Sequence, residues 1–291
     1  MPGEFDFIAW LRSQSQAYPS VLVPNGDDLA VLKWDAADLL LVGVDQVLDG
    51  VHFDSTIHSP RAIGRKAMNR NLSDCAAMAC LPFAAVASVA LPNGAGLGYA
   101  KELYLGLREA ADPFNCPVVG GDTGTWPGRL ALSVTILGRS AGITPITRDG
   151  ARPGDGICVT GPLGGSLAGR HMTFVPRVHL ARELAATARI TAMIDLSDGL
   201  ARDLAHICRE SGVGALLDAD RIPIHADVGS ENRLAHAIGD GEDYELLFTS
   251  PDDLSAHGVT RIGTITAHRH LLLRTAKGDE PLALRGWEHP L

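Results

Sequence analysis

The sequence predicts a chain of two domains in the mixed α+β class. Three observations carry that reading. Short apolar runs of strand length alternate with longer stretches at helical spacing. Carboxylates stand at the ends of apolar runs in both halves of the chain. Residues 139–155 hold few apolar side chains and carry Thr144-Pro145 and Arg152-Pro153-Gly154, which places a boundary between domains 1–138 and 139–291.

In chain order, residues 39–44 form an apolar run that ends at Asp45, read as a buried strand with a carboxylate at its end. Ser59-Pro60 reads as a helix start, with Ser as the cap and Pro in the first turn, and the helix runs to about Ala79. Residues 83–91 are small and apolar, and read as a strand that Pro92-Asn93-Gly94 ends. Leu97, Ala100, Leu103, Leu107 and Ala110 share one face of a helix over 97–111. Leu130, Leu132, Val134 and Ile136 alternate with their neighbours as a strand does. The second half repeats the theme with strands at 156–160 and 192–195, a helix from Pro176 to about Ala188, and a helix from Gly199. That last helix puts Leu200, Leu204, Ile207 and Cys208 on one face, and further strands follow near 214–218 and 244–249.

Composition narrows the function classes. The chain has 291 residues, 46% of them hydrophobic, and a net charge of −9. An acidic chain is poorly suited to nucleic acid, because that affinity rests on cations neutralising phosphates. A phosphorylated ligand would need a divalent metal to supply positive charge. The five cysteines (75, 80, 116, 158 and 208) contain no C-x-x-C pair and read as reduced, buried side chains. No run of 18 apolar residues occurs and the start lacks an apolar signal core, so a cytoplasmic protein is expected, with no membrane contact. The Walker A pattern, an H-x-x-x-H pair and the H-R-D and D-F-G signatures are all absent from the sequence.

Six acidic patches are the candidates for chemistry: Asn25-Gly26-Asp27-Asp28, Val44-Asp45, Asn71-Leu72-Ser73-Asp74, Gly120-Gly121-Asp122-Thr123, Asp195-Leu196-Ser197-Asp198-Gly199 and Asp240-Gly241-Glu242-Asp243-Tyr244. Aspartate is a short, hard oxygen ligand, and several converging carboxylates are what Mg²⁺ needs to neutralise a polyphosphate. Taken singly, each has a blander reading. Gly-Asp is a common turn pair, Asp198-Gly199 before a helix is a cap, and Asp74 inside a helix is a solvated face. Asp45 is harder to explain away, since a carboxylate at the end of an apolar strand costs desolvation unless it is paired. Gly161-Pro162-Leu163-Gly164-Gly165 is either a phosphate-approach loop or a plain turn.

In their order along the chain these patches resemble the thiamine-monophosphate kinase family, in the superfamily of aminoimidazole ribonucleotide synthetase. The resemblance rests on residues 44–53 (Val-Asp-Gln-Val-Leu-Asp-Gly-Val-His-Phe), 66–78, 119–123, 194–200 and 241–248 (Gly-Glu-Asp-Tyr-Glu-Leu-Leu-Phe). It implies two α/β sandwich domains of the aminoimidazole ribonucleotide synthetase-like type, the first binding ATP and Mg²⁺ and forming a homodimer. It also implies ATP-dependent phosphorylation of thiamine monophosphate by direct in-line transfer. By the same resemblance, Asp28, Val44, Asp45, Asp74, Asp122, Asp195 and Asp198 would hold Mg²⁺. Gly121, Asp122, Arg148 and Ser197 would contact ATP. His52, Glu242 and Trp287 would contact the thiamine phosphate, with no protein nucleophile. The sequence departs from the family pattern at Gly43-Val44, where Ser/Thr-Thr is usual, and in the short stretch from Gly169 to Pro176, where a helix usually stands. It leaves open a related ATP-dependent enzyme acting on another phosphate or small acceptor, or a nucleotide-binding protein without transfer activity.

Overall fold

The computed structural model describes residues 10–11, 13–14, 17–23 and 31–287. Asp28 lies outside the described residues. The chain divides into two compact units: one holds the chain up to Cys75 with Cys80–Gly142, the other Ala76–Ala79 and everything from Ile143.

The first unit contains β1 (Val21–Val23), β2 (Val31–Leu32), β3 (Leu40–Leu48), α1 (Pro60–Ala77), β4 (Leu81–Pro92), α2 (Gly96–Ala111), β5 (Val118–Trp126) and β6 (Ala131–Arg139). β3, β6, β4 and β5 form one sheet in that order, antiparallel except for the β4–β5 pair. Helix α1 starts where the sequence places it, and the Ser59 hydroxyl accepts the Ala62 N–H at 3.2 Å. The two helices meet through glycine. A Cβ on Gly64 would stand 2.1 Å from the Leu103 carbonyl oxygen, and one on Gly106 2.0 Å from that of Arg61.

Pairing across the sheet sorts its residues by face. Asp45 stands opposite Val134, and Val134 opposite Ala87. This row lies on the buried side with Val47, Leu132 and Ile136. The neighbouring rows point the other way, where Leu40, Val42, Val44 and Val86 are exposed. Two features differ from the sequence expectation. Strand β3 continues three residues past Asp45, because its ladder with β6 runs unbroken to Leu48. Strand β5 carries Gly-Gly-Asp-Thr-Gly, a loop composition, yet pairs with β4 along its length.

The second unit runs β7 (Gly156–Val159), α3 (Val178–Thr187), β8 (Ala192–Asp195), α4 (Leu200–Ser211), β9 (Gly214–Asp218), α5 (Arg233–Gly239), β10 (Leu246–Ser250), β11 (Thr260–Thr266), β12 (Leu271–Thr275) and β13 (Gly278–Pro281). Seven strands form one sheet in the order β13-β12-β9-β11-β7-β10-β8, with only β9–β12 parallel. The apolar stripe of α4 (Leu200, Leu204, Ile207, Cys208) is buried with Ile157, Ile194 and Leu247 in one core. Strand β8 is an edge strand, and its last residue, Asp195, faces Leu246 at the start of β10. The segments after β8 and before β10 therefore emerge at the same end of the sheet. All five cysteines are buried, and none is in a disulfide. Among the described residues, no helix is long and apolar enough to cross a membrane.

Candidate functional site

In the second unit two loops lock together at that sheet end. Residues 196–199 connect β8 to α4, and residues 240–245 lead into β10. The Glu242 N–H donates to the Ser197 carbonyl at 2.8 Å, Tyr244 N–H to Leu196 at 2.9 Å, and Leu196 N–H to Glu245 at 2.8 Å. The Trp287 N–H then donates to the Asp198 carbonyl at 3.0 Å. Five of the residues singled out from sequence (Asp195, Ser197, Asp198, Glu242 and Trp287) are thus drawn to one place. Arg148, exposed, stands close enough to His206 on α4 to act on it electrostatically. Gly241 makes the close approach possible: a Cβ there would meet the Ser197 oxygen at 2.8 Å.

The electrostatics at this point favour a cation. Asp203, in the first turn of α4, accepts the N–H groups of Asp198 and Gly199, each at 3.1 Å. Burial, with the Asp195 and Asp198 charges behind it, pushes its carboxyl up to about 8 against the pull of the two amide bonds. Asp198, Asp203 and His206 each offer a ligand atom, all within 4.8 Å of one another. Burial, followed by the charges of Arg209 and Arg148, lowers the pKa of His206 and favours the neutral imidazole. The carboxylates of Asp195, Asp198 and Asp203 are hard oxygen donors whose mutual repulsion a divalent cation would relieve, so they fit Mg²⁺, whereas the His206 imidazole is a donor that Mg²⁺ seldom takes.

The rest of the acidic loop is structural. Asp243 takes the Gly164 N–H at 3.0 Å and an Arg170 N–H at 3.0 Å. Asp240 takes the Gly165 N–H at 2.8 Å. The amides of the Gly164-Gly165 loop are thus occupied by the chain's own carboxylates, and the turn reading of that loop fits better than phosphate approach. Glu245 is buried and held by Thr160 at 2.6 Å and by both arms of Arg177 at 2.8 and 2.5 Å.

In the first unit, α1 lays two side chains over β3. The Arg70 Nε donates to Asp45 at 2.8 Å. Asp74 reaches 3.8 Å from where a Gly43 Cβ would be. Asp45 and Asp74 therefore share the α1–β3 layer, and a cation bound to Asp45 would share it with Arg70. His52 sits in the turn after β3, where its Nδ1 accepts the Leu48 N–H at 3.0 Å. Its carbonyl accepts a 2.6 Å bond from Lys66, whose side chain is wholly buried. Gly121 leaves no room for a side chain, since a Cβ there would stand 2.0 Å from the Ala87 oxygen. Asp122 pairs with Ser88 in a row on the same face as Val44, opposite the face that carries Asp45. The sheet does not place Asp122 beside Asp45 and Asp74. Asp203, His206, His171 and Arg170 were not foreseen. Only Asp203 left a trace in the sequence, as an acid in the first turn of a helix that glycine precedes.

Residues 26–140 match the family described as AIR synthase related protein, N-terminal domain, and residues 173–274 match AIR synthase related protein, C-terminal domain. A thiamine-monophosphate kinase of Rhodopirellula baltica is 40% identical over 294 residues, covering 94% of this chain and 92% of its own. One of Aquifex aeolicus is 31% identical over 313 residues, covering 99% of this chain and 98% of its own. Among solved structures, the thiamine-monophosphate kinase of Stenotrophomonas maltophilia K279a superposes with TM-score 0.81 at 32% identity, covering 93% of this chain and 96% of its own. AaThiL complexed with AMPPCP and TMP superposes with TM-score 0.79 at 28% identity, covering 99% and 97%.

Proposed function

Because this chain belongs to the thiamine-monophosphate kinase family of AIR synthase related proteins, we propose a mechanism by which it phosphorylates thiamine monophosphate with ATP. The fold is the α+β fold of that family, and the enzyme is an ATP-dependent kinase. In the proposed step, an oxygen of the thiamine phosphate attacks the γ-phosphorus of ATP in line. The bond from that phosphorus to the β-bridging oxygen breaks, giving thiamine diphosphate and ADP with no phosphoenzyme.

Asp28, Asp45, Asp74, Asp122, Asp195 and Asp198, with the Val44 carbonyl, are the proposed Mg²⁺ ligands. Bound there, Mg²⁺ would neutralise the charge of two phosphorylated substrates. Gly121, Asp122, Arg148 and Ser197 are proposed to seat ATP. His52, Glu242 and Trp287 are proposed to orient the thiamine phosphate, with the Trp287 indole stacking on its rings. The main contribution of these side chains is then positioning, which can supply several kcal/mol of barrier lowering without a protein nucleophile. The observation that carries this reading is the joint placement of Asp195, Ser197, Asp198, Glu242 and Trp287 through the backbone bonds of Ser197 and Asp198. A cytoplasmic homodimer completes the proposal. Its support is the exposed apolar face of the first unit, with Val42 65% and Val44 64% exposed. Asp122 lies on that same face, which would bring it to the subunit contact.

The test is direct. The purified protein with thiamine monophosphate and ATP should form thiamine diphosphate and ADP in equal amounts, and chelating divalent metal should stop it. ADP release without thiamine diphosphate, or no product from folded, ATP-binding protein, overturns the reading.

A further inference from the structure

We propose that His171 is a positioning residue for the acceptor: it sets the orientation of the Glu242 carboxylate, and through it the binding of thiamine monophosphate. This rests on the reading that Glu242 contacts that substrate.

His171 belongs to a single 3-10 turn, Arg170–Met172, in the short stretch between Gly169 and Pro176. Its Nδ1 lies 3.1 Å from the Glu242 Oε2. A carboxylate only accepts, so Nδ1 carries the hydrogen. The other carboxylate oxygen, Oε1, accepts the Tyr244 hydroxyl at 3.3 Å. Both oxygens of Glu242 therefore have a donor, and the two donors fix its plane. The side chains involved are largely enclosed, at 9% exposure for His171 and 18% for Glu242.

The backbone shows that this arrangement is imposed. Glu242 has φ 51° and Tyr244 φ 52°, left-handed values that cost a residue with a Cβ of order 1 kcal/mol. Such conformations persist where surrounding contacts determine them. Here the Tyr244 ring stacks on Phe174 with centroids 3.9 Å apart and planes 14° apart. Arg170, beside His171, bonds the Gly164 carbonyl at 2.8 Å and Asp243 at 3.0 Å. Residues 170 and 171 therefore grip 243 and 242 in register, across more than seventy positions of sequence.

The chemistry suits the acceptor's ring system. Thiamine carries a cationic thiazolium, and a carboxylate with its plane fixed by two donors can face that charge without reorganising. Loss of one donor would leave the charge in place and lose its direction. The effect should therefore fall on acceptor binding and not on ATP.

The experiment compares His171→Ala, His171→Asn, Glu242→Ala and the double alanine variant in steady-state kinetics. Asn keeps an N–H donor near the Nδ1 position. The expected result is a KM for thiamine monophosphate raised about tenfold in His171→Ala, with the KM for ATP within about twofold of the parent. His171→Asn should recover to within about threefold, and the double variant should be no worse than Glu242→Ala alone. Equal increases in both KM values, failure of Asn to restore, or additive effects would each overturn the proposal. If His171→Ala does not fold, His171→Asn decides: an acceptor KM close to the parent's supports the proposal, and one shifted together with that of ATP refutes it. If Glu242→Ala leaves the acceptor KM unchanged, the placement of Glu242 itself fails, a result distinct from failure at His171 alone.

Discussion

Individual carboxylates in this protein behave according to their surroundings. Asp243 and Asp198 stand in two loops that bond to one another, yet one is clamped by Gly164 and Arg170 and the other faces Asp203. Burial raises the pKa of Asp243 from 3.8 to about 6, against the pull of the Gly164 amide and Arg170. With the folded pKa above the unfolded one, its stabilising contribution is full below 3.8 and is lost as pH rises through about 6. From well below 3.8 to well above 6 that amounts to about 3 kcal/mol. Asp243→Asn should flatten this component, so the difference in Tm between the variant and the parent should change with pH across 4–7. A constant difference would refute the assignment. Glu245 makes a second prediction. Its replacement by Ala strands the half-exposed Arg177 and the Thr160 hydroxyl, and should cost about 3 kcal/mol in denaturant unfolding. At this scale the sequence was informative where residues are neighbours in the chain, as in Asp195-Leu196-Ser197-Asp198. It was silent on His171 and Arg170, because their partners are made by folding and by no local pattern.

Among the elements, most helices and strands followed from spacing and punctuation. The Ser59-Pro60 start and the stripe of α4 needed no tertiary information. Strand β5 did, because its Gly-Gly-Asp-Thr-Gly run has poor strand propensity and is held by its ladder with β4. Asp45 sits inside β3 for a related reason: β6 supplies a partner for every residue to Leu48, so the ladder and not the carboxylate sets the strand's end. The crossing of α1 and α2 gives the prediction for this scale. Gly64→Ala would drive a Cβ against the Leu103 carbonyl, a backbone atom that cannot swing aside. The expected loss is about 3 kcal/mol, seen as a lower denaturation midpoint with unchanged slope. A midpoint equal to the parent's would mean that the helices can separate at no cost.

For the whole molecule, the mixed fold was legible from the alternation of elements, while the structure divides the chain between Gly142 and Ile143 and assigns Ala76–Ala79 to the second unit. The alternation of Leu130, Leu132, Val134 and Ile136 marks one apolar face, and the structure exposes a second on the other side of the sheet along Leu40, Val42 and Val44. If that face joins two copies, Val42→Glu should leave each copy folded and shift the protein from dimer to monomer in size-exclusion chromatography with light scattering. A parent that is already monomeric at micromolar concentration would remove the homodimer from the proposal.

The buried Lys66 also gives the protein an internal clock. Only four lysines occur in the chain. Lys66 alone is fully enclosed, with its ammonium on the His52 carbonyl. An amine-acetylating reagent can modify it only while the turn at His52 has come away from the middle of α1. The modification rate at Lys66, read by mass spectrometry against the exposed Lys33 and Lys277, would thus time the local opening of this segment in the native ensemble. A ligand that engages His52 should slow that clock and leave the other two running.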